Sequence, residues 1–331
     1  MSRLPIRSAA AAAVAAAIAR LSYAGLRRRP PGGDRTWSRT NHRGEPVTLL
    51  EGPAITLGGM AGTLLVPGLP RRSRAAMLIA GAGAAALGCY DDLAGSGSSR
   101  GFRGHLGALR RGELTTGAVK LAGIGVTGLA ASALLRGTGT PGSGPAPAAR
   151  TAPGSGTTGT AGTPGAGAWD AADLLINAGL VAGGANLLNL FDLRPGRALK
   201  VAFAAGALLA AAPGPGRQAV AAPLGAAAAL LPDDLGERAM LGDGGANALG
   251  ALLGTAAAVT LPRPARLVTL AAVAGLTAAS EVVSFTRVIE RTRPLRWLDM
   301  LGRRPVAAPA PGTAVPRDQP EPAAPTSPTP R

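Results

Sequence analysis

The 331-residue sequence has one cysteine, two histidines and few aromatic residues. The single Cys89 excludes an intrachain disulfide framework and any metal site built from several cysteines. We expect it to pack as a small apolar residue in a helix. Charged residues are also sparse, at 16% of the chain. Of the two histidines, His105 is predicted to lie in a loop.

What is abundant is apolar sequence, at 47% of the residues. It occurs in long blocks separated by short segments rich in arginine, proline and glycine, a pattern typical of a multispanning membrane protein. The blocks are rich in alanine and glycine rather than leucine. Small residues let helices approach closely, so the sequence predicts a compact bundle.

The formal net charge of +16 raises the alternative of a nucleic-acid-binding protein. Most arginines, however, lie in short loops between apolar blocks, where positive charge sets membrane topology. We therefore expect the lipid bilayer, and no nucleic acid, as a partner.

The sequence predicts an all-α, multispanning transmembrane helix bundle in the plasma membrane, with the N-terminus outside and the C-terminus inside. Residues 1–52 form a first span and a basic cytoplasmic loop, and residues 53–304 form the transmembrane core. A low-complexity external loop at 137–167 and a Pro/Ala-rich tail at 305–331 are predicted to be disordered. The first block resembles a cleaved signal peptide as well, but a retained span is preferred. About nine spans are predicted, at 9–26, 55–69, 75–90, 115–135, 173–191, 198–212, 219–231, 248–261 and 267–288.

Two adjacent carboxylates, Asp91 and Asp92, end the third apolar block. Buried acids are costly at the bilayer centre but tolerable at its interface, especially around a cation. Neighbours on a helix point about 100° apart, so we expect these two acids to have different roles. A divalent cation bound to a diphosphate is the candidate ligand.

Five further residues are candidates for the same site. Asn186, Asn189 and Asp192 are spaced i, i+3, i+6, which places them along one helical face. Asp243 lies between glycines at the start of a span, where an anion is favoured, and Lys120 could contact a phosphate. Each residue alone has an ordinary structural explanation, such as a solvated acid or interhelical glue, but the set is predicted to meet on the cytoplasmic side.

Together the motifs resemble the polyprenyl-phosphate N-acetylhexosamine-1-phosphate transferases, which include phospho-N-acetylmuramoyl-pentapeptide transferase. The similar segments are Gly52–Gly59 (Pro-Thr-x-Gly-Gly), Gly88–Asp92 (Gly-x-x-Asp-Asp), Asn186–Asp192 (Asn-x-x-Asn-x-x-Asp) and Gly242–Gly250 (Gly-Asp-x-Gly-Ser-x-x-Leu-Gly).

This resemblance implies transfer of a sugar-1-phosphate from a UDP-sugar to polyprenyl phosphate, with release of UMP, in synthesis of peptidoglycan or another cell-wall polymer. It implies a Mg2+ cofactor with Asp243 as metal ligand and Asp91 as the base that deprotonates the lipid phosphate. Asp92 and Asp192 would hold the substrate phosphates. Lys120, Asn186 and Asn189 would bind substrate, and a homodimer is one option for assembly.

The sequence departs from the family pattern near its end. Residues 293–299 resemble a remnant of the family's last cytoplasmic loop, but no histidine follows Asp299, and a tenth span is missing. These departures keep a second reading open, a non-catalytic relative that acts as a membrane scaffold or regulator of envelope synthesis. A transporter is disfavoured because its acids should lie near the membrane midplane.

Overall fold

The structure is a computed structural model that describes residues 3–95, 107–108, 110–136, 166–214 and 216–305. His105, nearly all of the predicted external loop and nearly all of the predicted tail lie outside these residues. The described part is mostly helical, which confirms the helical class.

Twelve helices and one small hairpin are described. The helices are α1 (Arg3–Arg28), α2 (Asp34–Trp37), α3 (Glu51–Leu65), α4 (Arg71–Ala94), α5 (Thr116–Leu134), α6 (Ala166–Phe191), α7 (Arg197–Ala211), α8 (Ala221–Leu235), α9 (Gly242–Thr260), α10 (Arg263–Ser280), α11 (Phe285–Arg291) and α12 (Arg293–Met300). A 3-10 turn at Arg217–Val220 precedes α8.

Four helical stretches are long and apolar enough to cross a membrane, namely Arg7–Arg28, Arg71–Ala94, Thr116–Leu134 and Ala171–Phe191. A fifth crossing is obtained if α10 and α11 are counted together, although the chain bends by 94° between them. The helices α3, α7 and α8 have 15 residues each. They extend over only about 22 Å. The predicted count of nine spans and the predicted orientation stay predictions.

The helix α9 is the centre of the fold. Every residue from Gly244 to Thr260 is buried, although the helix has few large side chains. It packs most extensively against α4 and α6, and it also contacts α3. The helices α5 and α10 pack on the outer sides of this group, and α1 and α8 close the other side against α3. The start of α9 therefore lies where several helix ends meet.

Glycines allow the backbones of these helices to approach the start of α9. A Cβ atom built on Gly88 would lie 2.7 Å from the Cα atom of Gly244, and one built on Gly52 would lie 2.6 Å from the backbone nitrogen of Gly245. Real side-chain atoms do not pack this closely, so both contacts require glycine. They fix the ends of α4 and α3 beside the first turn of α9.

The hairpin covers the same region. Strands β1 (Ser38–Thr40) and β2 (Pro46–Thr48) pair antiparallel, with Arg39 opposite Val47. Thr48 also forms an isolated parallel bridge with Ala239, three residues before α9 begins. The hairpin thus fixes the loop that leads into the central helix.

We predict that Gly244→Ala destabilises the fold by about 1–3 kcal/mol, because overpacking a filled interface is costly. The added Cβ would lie 2.5 Å from the Sγ atom of Cys89. Thermal unfolding in detergent, followed by circular dichroism, measures the effect. Gly125→Ala is the matched control, since a Cβ there meets nothing within 4 Å. Equal melting temperatures of the two variants would contradict the close contact.

Candidate functional site

The predicted acids Asp91 and Asp243 meet around Lys120. The Lys120 Nζ atom lies 2.6 Å from the Oδ2 atom of Asp91 and is also paired with the Oδ2 atom of Asp243. The side chain of Lys120 is 11% exposed, that of Asp91 15% and that of Asp243 26%. One ammonium therefore links the end of α4, the first turns of α5 and the start of α9.

The two carboxyl groups that share Lys120 are also within hydrogen-bonding reach of each other. The Thr116 side chain, at the start of α5, hydrogen-bonds to Asp91. Two carboxylates close together repel unless a cation or a proton lies between them. The site holds one more negative charge than the lysine neutralises.

Asp92, the neighbour of Asp91, caps the central helix. Its Oδ1 atom accepts the backbone N–H of Asp243 at 3.1 Å, and its Oδ2 atom accepts that of Gly244 at 2.9 Å. These N–H groups have no partner within their own helix, and the helix dipole favours a negative charge there. The two neighbouring acids thus have different contacts, Asp91 with Lys120 and Asp92 with the backbone of α9, and their predicted roles toward substrate and metal stay predictions.

The backbone at Gly242 makes this cap fit. Gly242 has φ of 62°, a left-handed conformation that glycine adopts without strain. A Cβ at this position would lie 2.9 Å from the Oδ2 atom of Asp92. The glycine before Asp243 is therefore required both for the turn into α9 and for the approach of the capping carboxylate.

Asp192 joins the same group from the end of α6. It follows Phe191, the last residue of that helix, and accepts the backbone N–H of Gly242. Burial raises the pKa of Asp192 well above its usual range, and the charges of nearby Asp234, Asp243 and Asp92 raise it further, against the lowering effect of that hydrogen bond. A positive charge added nearby would stabilise the ionised form of Asp192.

The predicted substrate-binding residues Lys120, Asn186 and Asn189 line one cavity of about 700 Å³. The Asn186 Nδ2 atom lies 3.4 Å from the hydroxyl of Thr277 on α10. The rest of the wall is largely apolar and comes from α5, α6, α10 and the turn after α10, including Leu121, Gly183, Leu190, Leu270, Val273 and Val282. The lining is polar at Lys120, Asn186 and Asn189 and again at the end of α10, at Thr277, Ser280 and Glu281. It is apolar along the preceding part of α10, at Leu270, Val273 and Ala274.

Sequence reasoning missed a second group of acids behind the site. Glu51, at the start of α3, is fully buried, and in the described residues neither of its carboxylate oxygens has a hydrogen-bond partner. The charges of Asp192, Asp233 and Asp234 act on it. Arg20 pairs with Asp233 rather than with Glu51. The signal in the sequence that could have identified Glu51 is its position directly before an apolar segment.

The residues present fit Mg2+ in the chemistry of their donors. Among the described residues, no three His, Cys, Asp or Glu side chains are grouped in a way that would hold a metal ion. Mg2+, however, is commonly bound by one or two carboxylates together with substrate phosphates and water. Asp243 and Asp91 supply two adjacent carboxyl groups, and Asp192 adds uncompensated charge nearby.

We predict that Lys120→Met lowers the free energy of unfolding by about 3–5 kcal/mol, because it leaves two largely buried carboxylates without their cation. Chemical or thermal unfolding in detergent measures the loss. Arg111→Met is the control, since the Arg111–Glu113 pair is more than half exposed and should matter little. Similar small effects of both variants would show that Lys120 does not hold the site together.

We predict that Glu51→Gln raises the free energy of unfolding by about 1–3 kcal/mol at alkaline pH, because a fully buried carboxyl group without a partner is costly once it ionises and an amide carries no charge. Melting temperature measures the change. Glu45→Gln is the control, because Glu45 is exposed and pairs with Arg304. Strong destabilisation by Glu51→Gln would mean that the fold needs the charge of Glu51.

Two comparisons of the sequence with known proteins found no match. No protein-family model matches the sequence, and no curated protein matches it significantly. The likeness to polyprenyl-phosphate transferases therefore depends on the order and spacing of the motifs. The contacts of Lys120 with Asp91 and Asp243 do not depend on that likeness.

Proposed function

We propose that this protein is a Mg2+-dependent membrane transferase that moves a sugar-1-phosphate from a UDP-sugar to polyprenyl phosphate and releases UMP. The product would enter peptidoglycan or another cell-wall polymer. The observation that carries the proposal is the pairing of Lys120 with Asp91 and Asp243 beside a cavity whose lining is polar in part and apolar along part of α10.

This cavity suits the two substrates of such a reaction. A diphosphate needs cations and hydrogen-bond donors, which Lys120, Asn186 and Asn189 provide at one side. A polyprenyl chain needs an apolar surface, which the apolar part of α10 provides. An acid cluster with uncompensated charge and a shared ammonium can exchange partners when a charged substrate arrives.

In the proposed reaction, an oxygen of the polyprenyl phosphate attacks the phosphorus that carries the sugar. A new P–O bond forms, the bond from that phosphorus to the bridging oxygen breaks, and UMP leaves with the bridging oxygen. Asp91 takes the proton of the lipid phosphate, and Lys120 compensates the charge that develops. Mg2+, held by Asp243, would neutralise the diphosphate and polarise it for attack.

The roles of Asp92 and Asp192 follow from their contacts. Asp92 already accepts two backbone N–H groups of α9, so we assign it to positioning Asp243 rather than to direct phosphate binding. Asp192 is held by Gly242 and lies near Asp243, where it would adjust the charge of the site. Asn189 would contact the nucleotide.

We place the protein in the plasma membrane as a multi-pass protein with the site at the cytoplasmic face, where UDP-sugars are available. The four long apolar helices support membrane insertion. The arginines around α1 and after α10 support a cytoplasmic position for the helix ends that carry Asp91, Asp192 and Asp243. The N-terminus would be outside and the C-terminus inside.

A second candidate function is a non-catalytic scaffold or regulator of envelope synthesis. One observation favours it: Lys120 is already paired with Asp91 and Asp243, and such a network can stabilise a fold without ligand. Under this reading an Asp91→Asn, Asp92→Asn double variant would complement a deletion strain normally. Failure of a stable double variant would support catalysis.

We predict that purified protein with Mg2+, polyprenyl phosphate and a panel of UDP-sugars releases UMP, and that Asp243→Asn lowers the rate by about 100-fold or more, as loss of one electrostatic group typically does. Liquid chromatography of released UMP, with mass analysis of the lipid product, gives the readout. Removal of Mg2+ with a chelator should stop the reaction.

Asp34→Asn is the matched control, because Asp34 is exposed and lies in the short helix α2. Its UMP release should equal that of the unmodified protein. Unchanged activity of a folded Asp243→Asn variant would remove the metal assignment. If no donor gave UMP release, the transferase function would be rejected and the scaffold function would remain.

A further inference from the structure

The chain turns sharply where α10 ends. The axes of α10 and α11 differ by 94°, and only four residues separate the two helices. If α10 crosses the bilayer, a helix at a right angle to it lies parallel to the membrane surface. The α12 helix follows α11 after one residue, so with α10 as the crossing segment both α11 and the start of α12 would lie at the level of the interface.

The helix α12 exposes an apolar face on the side opposite its attachment. Trp297, Leu298 and Leu301 are exposed by 65%, 50% and 53%. Trp297 and Leu298 are neighbours on one side of the helix, and Leu301 directly follows its last residue. Asp299, on the other side, is buried. An exposed Trp with two leucines on a short helix is typical of a segment that enters the membrane interface.

The opposite side of α12 is fixed to the bundle by charge. The Asp299 carboxylate accepts hydrogen bonds from Arg197 at 2.7 and 3.2 Å and from Arg303 at 2.8 Å. The Lys200 Nζ atom donates to the Asp299 carbonyl at 2.6 Å. Burial raises the pKa of Asp299, but the bonds and charges of Arg197 and Arg303 lower it overall, so the attachment stays ionised.

Basic side chains without partners border the apolar face. Arg291, Arg293 and Arg296 are exposed, and within the part of the chain that the structure describes their side chains have no hydrogen bond or ion pair. Arg293 lies one turn before Trp297, on a neighbouring part of the same face. Glu290 is the one exposed acid of α11 and α12.

We propose that α11 and α12 form a binding surface for anionic phospholipids of the inner leaflet, with Trp297, Leu298 and Leu301 inserted between headgroups. Arginines 291, 293 and 296 would contact the phosphates. Charge complementarity selects this occupant, since clustered basic residues next to a membrane are attracted to anionic lipids. The proposal rests on the membrane location proposed above but not on the transferase reaction.

The tail of the chain is a poor alternative occupant of this face. After Pro305 the sequence has only two large apolar residues, Val306 and Val315, among many prolines and alanines. Such a segment has little apolar area to cover a Trp and two leucines.

The surface is connected to the candidate site. Phe285, the first residue of α11, stacks on Phe191 with ring centroids 5.2 Å apart. Phe191 directly precedes Asp192. Arg197, which binds Asp299, also donates to the hydroxyl of Thr286 at 3.0 Å. Lipid binding at α12 therefore acts on the same short segment that presents Asp192.

The test uses the full chain in nanodiscs and the fluorescence of Trp297. Subtraction of the spectrum of Trp297→Phe isolates this residue without changing the other tryptophans. Nanodiscs contain phosphatidylcholine with an equal fraction of either brominated phosphatidylcholine or brominated phosphatidylglycerol. We expect brominated phosphatidylglycerol to quench Trp297 more strongly, by about twofold or more, because three arginines concentrate it there.

An Arg291→Gln, Arg293→Gln, Arg296→Gln variant should lose this preference while both brominated lipids still quench. The matched control, Arg28→Gln, Arg29→Gln, Arg35→Gln, removes the same charge from other exposed positions and should keep it. Equal quenching by both lipids in the unmodified chain, a preference that survives the first variant, or no quenching at all would each overturn the proposal. Incorporation into nanodiscs and UMP release are measured separately, so failure of the transferase is distinguishable.

Discussion

The ion pairing of Lys120 with Asp91 and Asp243 is the interaction on which the rest of the site depends. It joins three helices that are distant in sequence, and it compensates two carboxyl groups that would otherwise repel. Its position follows from tight helix packing: Gly88 lets the end of α4 reach the start of α9, and Asp92 fixes the first amides of that helix. Charge and packing therefore specify the same point in the fold.

Much of this arrangement is readable in the sequence. Asp91 and Asp92 end an apolar block, Asp243 begins another between glycines, and Asn186, Asn189 and Asp192 share a helical spacing. These local signals predict that the residues lie at helix ends, and the structure brings them together. The helical class is equally direct, because long apolar blocks rich in alanine, with few prolines, favour helix.

Other features depend on contacts that no local pattern reveals. Glu51 is one residue from a recognised motif, but its burial beside Asp192 and Asp234 follows from how α3 packs against α9. The role of Asp92 as a helix cap needs the left-handed turn at Gly242. The start of α6 at Ala166, before the predicted start at Asp173, lies in Gly/Ala sequence where the pattern has no clear boundary. In the sequence, Asp299 is noted only as the last residue of the remnant at 293–299. In the structure it attaches α12 to α7 through Arg197.

The shortness of α3 and α8 has a consequence for the surrounding lipid. A helix of 15 residues extends over about 22 Å, against a hydrocarbon thickness of about 30 Å. If α3 and α8 cross the bilayer, as the proposed topology requires, this hydrophobic mismatch would be relieved by local thinning of the bilayer. Headgroups and water would then reach deeper beside these two helices than elsewhere around the bundle.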